Sequence, residues 1–321
     1  MTGQFEVAMM AISVLAREVR RRGRLTVASN SSGLKWMYHA TAMGRSYDAI
    51  FEPLERLFGA RVLHDNELSA PGLERRGGMV WLADGSVEIG EPLGPTSELN
   101  RFVERFGGGM HSIALQVDDV GDTLERVAAL GVRVAARIRD NLAFTRPADT
   151  AGILLEWRSG WAADDPRWGS ELPPQSSPPV VEPRRIAFAG VVNPDPLSTA
   201  ARLAEVIGTT WDTQQSDEPG LPEATVNLRD CLVACYRLPT PTQAADVWGM
   251  PLYRPRCHAL GLQVDDLDAA AAALRATGAQ VQHRNSDGTL VITGGGLTFP
   301  VVLVRELLPS DPRGATPEPA S

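Results

Sequence analysis

Histidine and aspartate side chains, which can bind a metal ion or transfer a proton, occur in one short segment that the chain contains twice. Residues 110–119 read Met-His-Ser-Ile-Ala-Leu-Gln-Val-Asp-Asp, and residues 257–266 read Cys-His-Ala-Leu-Gly-Leu-Gln-Val-Asp-Asp. His111 and His258 are therefore 147 residues apart. A duplication of this length provides an internal control. Residues kept in both halves are expected to serve the fold, and residues found in only one half are the candidates for chemistry.

The paired aspartates of both segments lie where a strand gives way to a helix. A side-chain oxygen at that place can accept a hydrogen bond from a free backbone N–H at the start of the helix. Because both halves keep the pair, we interpret Asp118, Asp119, Asp265 and Asp266 as helix caps.

Size and composition limit the classes of protein to which the chain can belong. At 321 residues the chain is longer than a domain with a single hydrophobic core usually is, so two domains are expected. The net charge of −8, without a Lys/Arg-rich run carrying interleaved aromatics, argues against a nucleic-acid partner. The apolar run Val7–Ala16 is too short to span a bilayer, so no membrane partner is expected. Cys231, Cys235 and Cys257 match neither a zinc spacing nor a disulfide framework, which favours a reduced, cytoplasmic setting.

Four segments share one local pattern, in which a short apolar strand, an Asp or Asn-Pro, and a helix closed by Gly follow one another. Glycine just past a helix end can take the left-handed conformation without a Cβ penalty. The four helices are predicted at Tyr47–Phe58, Val120–Leu130, Pro196–Ile207 and Leu267–Thr277. Two or three strand signals follow each helix, so each segment predicts a βαβββ unit.

A βαβββ sheet cannot bury its curved face alone, and two such units side by side make a cup of about eight strands. The sequence therefore predicts an α+β fold of four βαβββ units that form two tandem domains. The domains are placed at 35–158 and 184–307, with an N-terminal extension at 1–34, a Pro-rich linker at 159–183 and a disordered tail at 308–321.

The segment Ser86–Asp119 carries a resemblance to a known family. It reads Ser-Val-Glu-Ile-Gly-Glu-Pro-Leu-Gly-Pro-Thr-Ser, then a short helix Glu98–Phe106, then Gly-Gly-Gly-Met-His-Ser-Ile-Ala-Leu-Gln-Val-Asp-Asp. Together with Gly152-Ile-Leu-Leu-Glu-Trp, it resembles the epimerase branch of the vicinal oxygen chelate superfamily. That superfamily contains glyoxalases, methylmalonyl-CoA epimerases, extradiol dioxygenases and bleomycin-binding proteins. The resemblance covers residues 35–158 well and residues 184–307 only at the level of pattern.

This resemblance implies a divalent metal inside the first cup. The positions that match the family's ligands are His39, Glu88 and Glu156, and the metal would be Mn, Co, Fe, Ni or Zn. The fourth ligand position falls on Ser112, where the family carries the second of two histidines. Neighbouring side chains on a strand point to opposite faces, so His111 is the fourth candidate ligand only if a bulge or a register shift turns it inward.

The function that the resemblance implies is that of an epimerase, isomerase or lyase. Such an enzyme would remove a proton next to a carbonyl of a small oxygenated acid or thioester. Glu156, or alternatively Glu74, would act as the base. The alternative is a metal-free protein of the bleomycin-resistance type that binds a drug or metabolite in the same cup.

The second cup is expected to lack a metal site. The residues in its four ligand places are Phe188, Ala234 or Cys235, Ala259, and one of Val302–Val304. The second domain would then be a degenerate scaffold that caps the first or supports a homodimer.

Overall fold

The structure is a computed structural model that describes residues 33–313 apart from 69–73, 96, 161–164, 215, 217, 251 and 253. Of the predicted N-terminal extension, residues 1–32 lie outside the described residues, and Leu34 begins the first strand. Among the described residues, no helix combines the length and the apolar character that crossing a membrane requires.

The described residues contain sixteen strands and six α-helices. The strands of the first domain are β1 Leu34–Met43, β2 Arg61–Leu68, β3 Arg75–Leu82, β4 Gly85–Pro92, β5 Gly109–Val117, β6 Val134–Arg139, β7 Leu142–Thr145 and β8 Leu154–Arg158. The strands of the second domain are β9 Arg185–Asn193, β10 Trp211–Thr213, β11 Ala224–Asn227, β12 Leu232–Arg237, β13 Arg256–Gln263, β14 Ala279–Arg284, β15 Leu290–Gly294 and β16 Val301–Val304. The helices are α1 Asp48–Phe58, α2 Glu98–Phe106, α3 Val120–Ala129, α4 Pro196–Ile207, α5 Pro241–Trp248 and α6 Leu267–Arg275.

Each domain is one eight-stranded sheet in which two βαβββ units lie side by side. The strand order is β2-β3-β4-β1-β5-β8-β7-β6 in the first domain and β10-β11-β12-β9-β13-β16-β15-β14 in the second. The first strands of the two units pair antiparallel at the centre of each sheet. Each of them also pairs in parallel with the last strand of its own unit. The predicted α+β fold of four βαβββ units in two tandem domains is confirmed.

The helix ends follow from residues that the duplication keeps. Asp119 and Asp266 are the N-caps of α3 and α6, and their side chains accept hydrogen bonds from backbone N–H groups of the first turn. Gly59 and Gly208 end α1 and α4 with φ angles of 74° and 78°, in the left-handed region. The interpretation as caps is confirmed for Asp119 and Asp266, whereas the preceding aspartates form ion pairs, Asp118 with Lys35 and Asp265 with Arg184.

Alternation along the strands separates two faces of the first sheet. On β1, Ala40 and Ala42 are fully buried in the core cluster that also contains Leu54 of α1. His39 and Thr41 occupy the alternate positions of the same strand and face away from the helices. The core cluster continues into the second domain, where β13 packs on β5. The face of the first sheet that carries His39 and Thr41 is therefore the hollow in which a site can form.

The corresponding face of the second sheet is filled with side chains. Phe188, Tyr236 and Trp248 belong to one buried cluster, and the rings of Tyr236 and Trp248 meet edge to face at 5.1 Å. Trp248 is the last residue of α5, so this helix covers the hollow. The sequence did not predict α5, and its presence leaves the second cup apolar and closed.

Each domain is followed by a segment that packs back on its own sheet. In the predicted linker, Asp165 caps the short 3-10 helix Pro166–Trp168. In the predicted disordered tail, Asp311 is buried and Arg313 donates a hydrogen bond to the carbonyl of Ile186 at 2.9 Å. Residues 308–313 are therefore part of the folded second domain, because Arg313 pairs with Asp311 and donates to the carbonyl of Ile186 on β9, and residues 314–321 of the predicted tail lie outside the described residues.

Candidate metal centre

His39 lies at the centre of the first sheet, on β1. Its partners across the neighbouring strands are Ser86 on β4 and Ala114 on β5. The residue is 1% exposed, and its Nδ1 lies 3.2 Å from Thr41 Oγ1. This contact orients the ring, and Nε2, which has no hydrogen-bond partner among the described residues, faces two carboxylates.

Glu88 and Glu156 supply these carboxylates from the last strands of the two units. Nε2 of His39 lies 3.6 Å from Glu156 Oε1 and 4.0 Å from Glu88 Oε2. One ligand atom from each of the three residues lies within 4.8 Å of the others. Glu88 is 8% exposed and Glu156 is 4% exposed. Two buried acids beside one imidazole require positive charge nearby, because an uncompensated buried carboxylate is costly.

The three side chains fit a divalent metal ion. Two ligand atoms that each bind one ion at about 2.1 Å can lie at most about 4.2 Å apart. The separations of 3.6 Å and 4.0 Å from His39 meet this limit, and the ligand atoms of the two carboxylates lie within 4.8 Å of each other. One imidazole and two carboxylates form a donor set that first-row divalent metals accept. The structure therefore brings together three of the four candidate ligands that the resemblance implied.

Arg75 on β3 is a member of this site that the sequence did not reveal. Its guanidinium forms a buried ion pair with Oε1 of Glu88 and leaves Oε2 of the same carboxylate facing His39. Burial raises the pKa of Glu88, but Arg75, His39 and Arg158 together outweigh that effect, so the pKa of Glu88 is lowered overall. Glu88 is thus held in the ionised form, which is the form that binds a metal.

The fourth ligand position holds a serine. Ser112 is 1% exposed, and in register it lies opposite Thr41 on one side and Leu154 on the other. Thr41 in turn lies opposite Glu88, so Ser112 belongs to the same row of side chains as that carboxylate. A hydroxyl is a weaker ligand for these metals than an imidazole, and the site therefore offers three strong donors.

The structure does not bring His111 into the group. The residue lies at a register shift between β1 and β5, which is the irregularity that a ligand role would need. Its ring nevertheless packs edge to face on Phe102 of α2 at 4.7 Å, and its Nδ1 lies 3.3 Å from Ser112 Oγ. Burial lowers the pKa of His111 to about 4, although Glu88 opposes the shift. The predicted ligand role of His111 is therefore not supported, because its ring is used in packing.

A family model identifies the domain that carries this geometry. The model of the Glyoxalase/Bleomycin resistance protein/Dioxygenase superfamily matches residues 36–157. The first domain belongs to this superfamily. The match contains His39, Glu88 and Glu156, and its limits lie close to the two ends of the first sheet.

Solved structures similar to the chain include methylmalonyl-CoA epimerases. The enzyme from Mycobacterium tuberculosis is 18% identical with a TM-score of 0.38, and the match covers 43% of this chain and 94% of that chain. A variant of the Streptomyces coelicolor enzyme in complex with 2-nitronate-propionyl-CoA is 23% identical with a TM-score of 0.37, and the match covers 40% of this chain and 99% of that chain. No curated protein matches the chain. Similarity at this level of identity does not establish an activity.

The second glyoxalase-like domain carries no ligand at the corresponding places. Strand register puts Phe188 in the place of His39, because both lie two residues before the position that pairs with the fourth ligand place. By the same register Ala234 corresponds to Glu88, and Val302 corresponds to Glu156. These apolar residues face the hollow that α5 fills, so among these corresponding places only those of the first domain carry potential metal ligands.

Glu74, the second candidate base, lies immediately before β3 and is half-buried. Its carbonyl accepts a hydrogen bond from Leu93 N at 2.8 Å. The group of potential metal ligands does not include Glu74. The structure therefore puts it next to Arg75 along the chain, at the edge of the site.

A cavity of about 770 Å³ opens on the second domain, beside the start of α6. Its lining carries charges of both signs, and the arginines among them are already paired, Arg284 with Asp268 and Arg305 with Glu306. The cavity is remote in the fold from His39 and its carboxylates. We therefore place the chemistry in the buried cluster of the first domain.

Proposed function

We propose that the first domain is a divalent-metal-dependent enzyme that removes a proton next to a carbonyl, as epimerases, isomerases and lyases of the glyoxalase superfamily do. The observation that carries this proposal is the convergence of His39 Nε2 with the carboxylates of Glu88 and Glu156 on one buried face. The substrate class we propose is a small oxygenated acid or a thioester, since both offer a carbonyl next to an acidic C–H.

The roles of the residues follow from their positions. His39, Glu88 and Glu156 would hold the ion, which would supply the positive charge that stabilises an oxyanion formed from the substrate carbonyl. Arg75 keeps Glu88 ionised through the buried ion pair. Thr41 orients the imidazole of His39 through its contact with Nδ1. The low exposure of all three ligands keeps bulk water from competing for the ion.

Two carboxylates are candidates for accepting the proton. Glu156 is inside the hollow, where its Oε1 lies 3.6 Å from His39 Nε2. Glu74 is at the edge of the hollow and would reach a substrate from the side of β3. Only Glu156 belongs to the group of side chains that converge on His39, so we assign the role to Glu156 and keep Glu74 as the alternative.

The experiment that tests the proposal measures metal binding and proton exchange separately. Untagged protein is titrated with Mn²⁺ by electron paramagnetic resonance, and we expect one site that His39→Gln, Glu88→Gln and Glu156→Gln each weaken by at least about tenfold. Glu171→Gln, which changes an exposed glutamate, is the matched control and should bind as the unaltered protein does. Deuterium wash-in next to the carbonyl is then followed by NMR for a panel of 2-substituted acids and thioesters. Absence of a Mn²⁺ site in the unaltered protein would refute the proposal.

A metal-free binding protein is the second candidate function, and one observation favours it. Arg75 already neutralises Glu88, so this buried carboxylate does not depend on a metal for compensation. Aromatic rings also border the hollow, with the guanidinium of Arg158 4.4 Å from the ring centroid of Tyr38. Folded protein that contains no metal and binds none, yet gains thermal stability with an aromatic ligand, would support this candidate.

The setting of the protein completes the proposal. We propose a cytoplasmic location, which agrees with three cysteines that are buried and unpaired in the structure. Homodimer formation and the boundaries 35–158 and 184–307 stay predictions.

A further inference from the structure

The chain contains a second duplicated motif, Asp-Pro-Arg, just after the last strand of each domain. It occupies residues 165–167 and 311–313. In both copies the arginine donates from its backbone N and its Nε to the same aspartate oxygen, at 2.9 Å and 3.0 Å. Both arginine side chains are 18% exposed. We call each Asp-Pro-Arg motif a bracket, and the two brackets have the same internal hydrogen bonds.

The bracket of the second domain fixes the start of β9. Arg313 donates from Nη2 to the carbonyl of Ile186 at 2.9 Å and from Nη1 to Asp84 Oδ2 at 3.2 Å. Asp84, which lies in the turn between β3 and β4 of the first domain, accepts a hydrogen bond from Ile186 N at 2.8 Å. The backbone of Ile186 is thus held from both sides, by its own domain and by the other one.

The bracket of the first domain fixes the equivalent place on β1. Arg167 donates from Nη1 to the carbonyl of Met37 at 2.8 Å and from Nη2 to the carbonyl of Tyr38 at 2.7 Å. Asp230, which lies in the turn between β11 and β12 of the second domain, accepts a hydrogen bond from Met37 N at 2.9 Å. Each domain therefore provides an aspartate to the first strand of the other domain, Asp84 to β9 and Asp230 to β1.

The held backbone on β1 is a bulge, and it lies directly before His39. In the pairing with β5, Met37 and His39 have consecutive partners and Tyr38 has none. A bulge leaves backbone groups without partners in the sheet, and Arg167 and Asp230 supply partners to three of them. The Tyr38 ring in turn meets the His39 ring at 5.1 Å. The direction of the His39 side chain thus depends on contacts made from outside the sheet.

We propose that Arg167 and Asp230 are positioning residues for His39, so that the second domain, which has no ligands of its own, helps through Asp230 to aim Nε2 of His39 at Glu88 and Glu156. Their effect on metal binding rests on the proposed function, whereas their effect on the geometry of His39 does not. The equivalent bulge on β9, at Ala187, precedes Phe188. The second bracket therefore holds an equivalent bulge, but the residue after this bulge, Phe188, cannot bind a metal.

This pseudo-symmetry provides matched controls for the experiment. Arg167→Gln is compared with Arg313→Gln, and Asp230→Ala with Asp84→Ala. Three quantities are measured on the full chain: the melting temperature, the imidazole signals of His39 by NMR, assigned with His39→Gln, and the Mn²⁺ dissociation constant. Asp230→Asn, whose amide oxygen can still accept from Met37 N, is the conservative variant.

We expect all four disruptive variants to lower the melting temperature, because each removes hydrogen bonds to backbone groups. Only Arg167→Gln and Asp230→Ala should shift the His39 signals and weaken Mn²⁺ binding by at least about tenfold, and Asp230→Asn should restore most of the affinity. Unmoved His39 signals in Arg167→Gln and Asp230→Ala, or an equal loss of Mn²⁺ affinity in the Arg313 and Asp84 variants, would overturn the proposal. If the unaltered protein binds no Mn²⁺, the proposed function fails while the His39 signals still decide the positioning role. Arg167→Lys, which keeps the charge without the two-pronged donation, serves if Arg167→Gln does not fold, and it should also shift the His39 signals.

Discussion

Replacing His111 by phenylalanine separates a packing role from a ligand role. The pKa of His111 is lowered from 6.5 to about 4 because burial disfavours the charged ring and Arg256 and Arg75 add to that effect, against Glu88. In the unfolded chain the imidazole takes up a proton near its ordinary pKa, and the folded chain does so only near pH 4. Between these values the unfolded state binds more protons, so the stability of the fold falls as the pH falls.

The size of this effect follows from the shift. Each pKa unit corresponds to about 1.4 kcal/mol, so the loss attributable to His111 between pH 6.5 and pH 4 is at most about 3 kcal/mol. His111→Phe removes this titration and keeps an aromatic ring against Phe102. Burial also lowers the pKa of His258, but that residue is present in both proteins, so its contribution cancels in the comparison.

The assay is urea unfolding of both proteins at intervals from pH 4 to pH 7.5, followed by circular dichroism. The free energy of unfolding of His111→Phe should fall less steeply with acid, and the difference between the two proteins should reach about 2–3 kcal/mol near pH 4. Mn²⁺ affinity should stay within about threefold, because the ring is not in the ligand group. Parallel pH profiles, or a tenfold loss of Mn²⁺ affinity, would refute the assignment of His111 to packing.

Two substitutions test other parts of the site, and thiol labelling tests the packing of the second domain. Ser112→His puts an imidazole in the fourth ligand place and should tighten Mn²⁺ binding about tenfold by titration, and unchanged affinity would show that the place does not face the ion. Arg75→Met leaves Glu88 buried without its partner, which should cost about 3–5 kcal/mol of stability by urea unfolding at pH 7.5. Because the pKa of Glu88 then rises above its unfolded value, the cost should shrink towards pH 4, and an equal cost at both pH values would contradict this account. Burial raises the pKa of Cys257 to about 12 and those of the other two cysteines as well, so a thiol reagent at pH 8 should label the unfolded chain and spare the folded one.

The fold was predictable because it rests on local signals that the chain states more than once. The glycine after each helix, the aspartate before α3 and α6, and the alternation on the central strands all point to the same βαβββ unit. The strands β6, β7, β10 and β14 and the helix α5 were not predicted. The apolar face of α5 is only partly periodic over its eight residues, and its role in filling the second cup depends on contacts with Phe188 and Tyr236 that are distant in sequence.

The three converging ligands were predictable for a different reason, since the resemblance assigns His39, Glu88 and Glu156 to strand positions and strand register fixes distances well. The sequence did not indicate a role for Arg75, because an arginine on a strand is usually expected to be exposed to solvent. Only the fold shows that its strand neighbours Glu88. A buried, lone carboxylate does call for a positive partner, and that requirement could have prompted a search among the arginines of the adjacent strand.

The duplication distinguishes scaffold from chemistry when it is compared over its full length. Both halves keep a bulge before the first ligand place, a histidine at a second bulge, and an Asp-Pro-Arg bracket, and in both the histidine packs edge to face on a helix aromatic at 4.7 Å. These shared features are needed to join two sheets whatever faces the hollow. What differs is the residue that follows the bracketed bulge, His39 in one half and Phe188 in the other. Because both halves have a bracket, a bracket can affect metal binding only through the residue that follows its bulge. The same substitution should therefore weaken metal binding in the bracket that precedes His39 and leave it unchanged in the bracket that precedes Phe188.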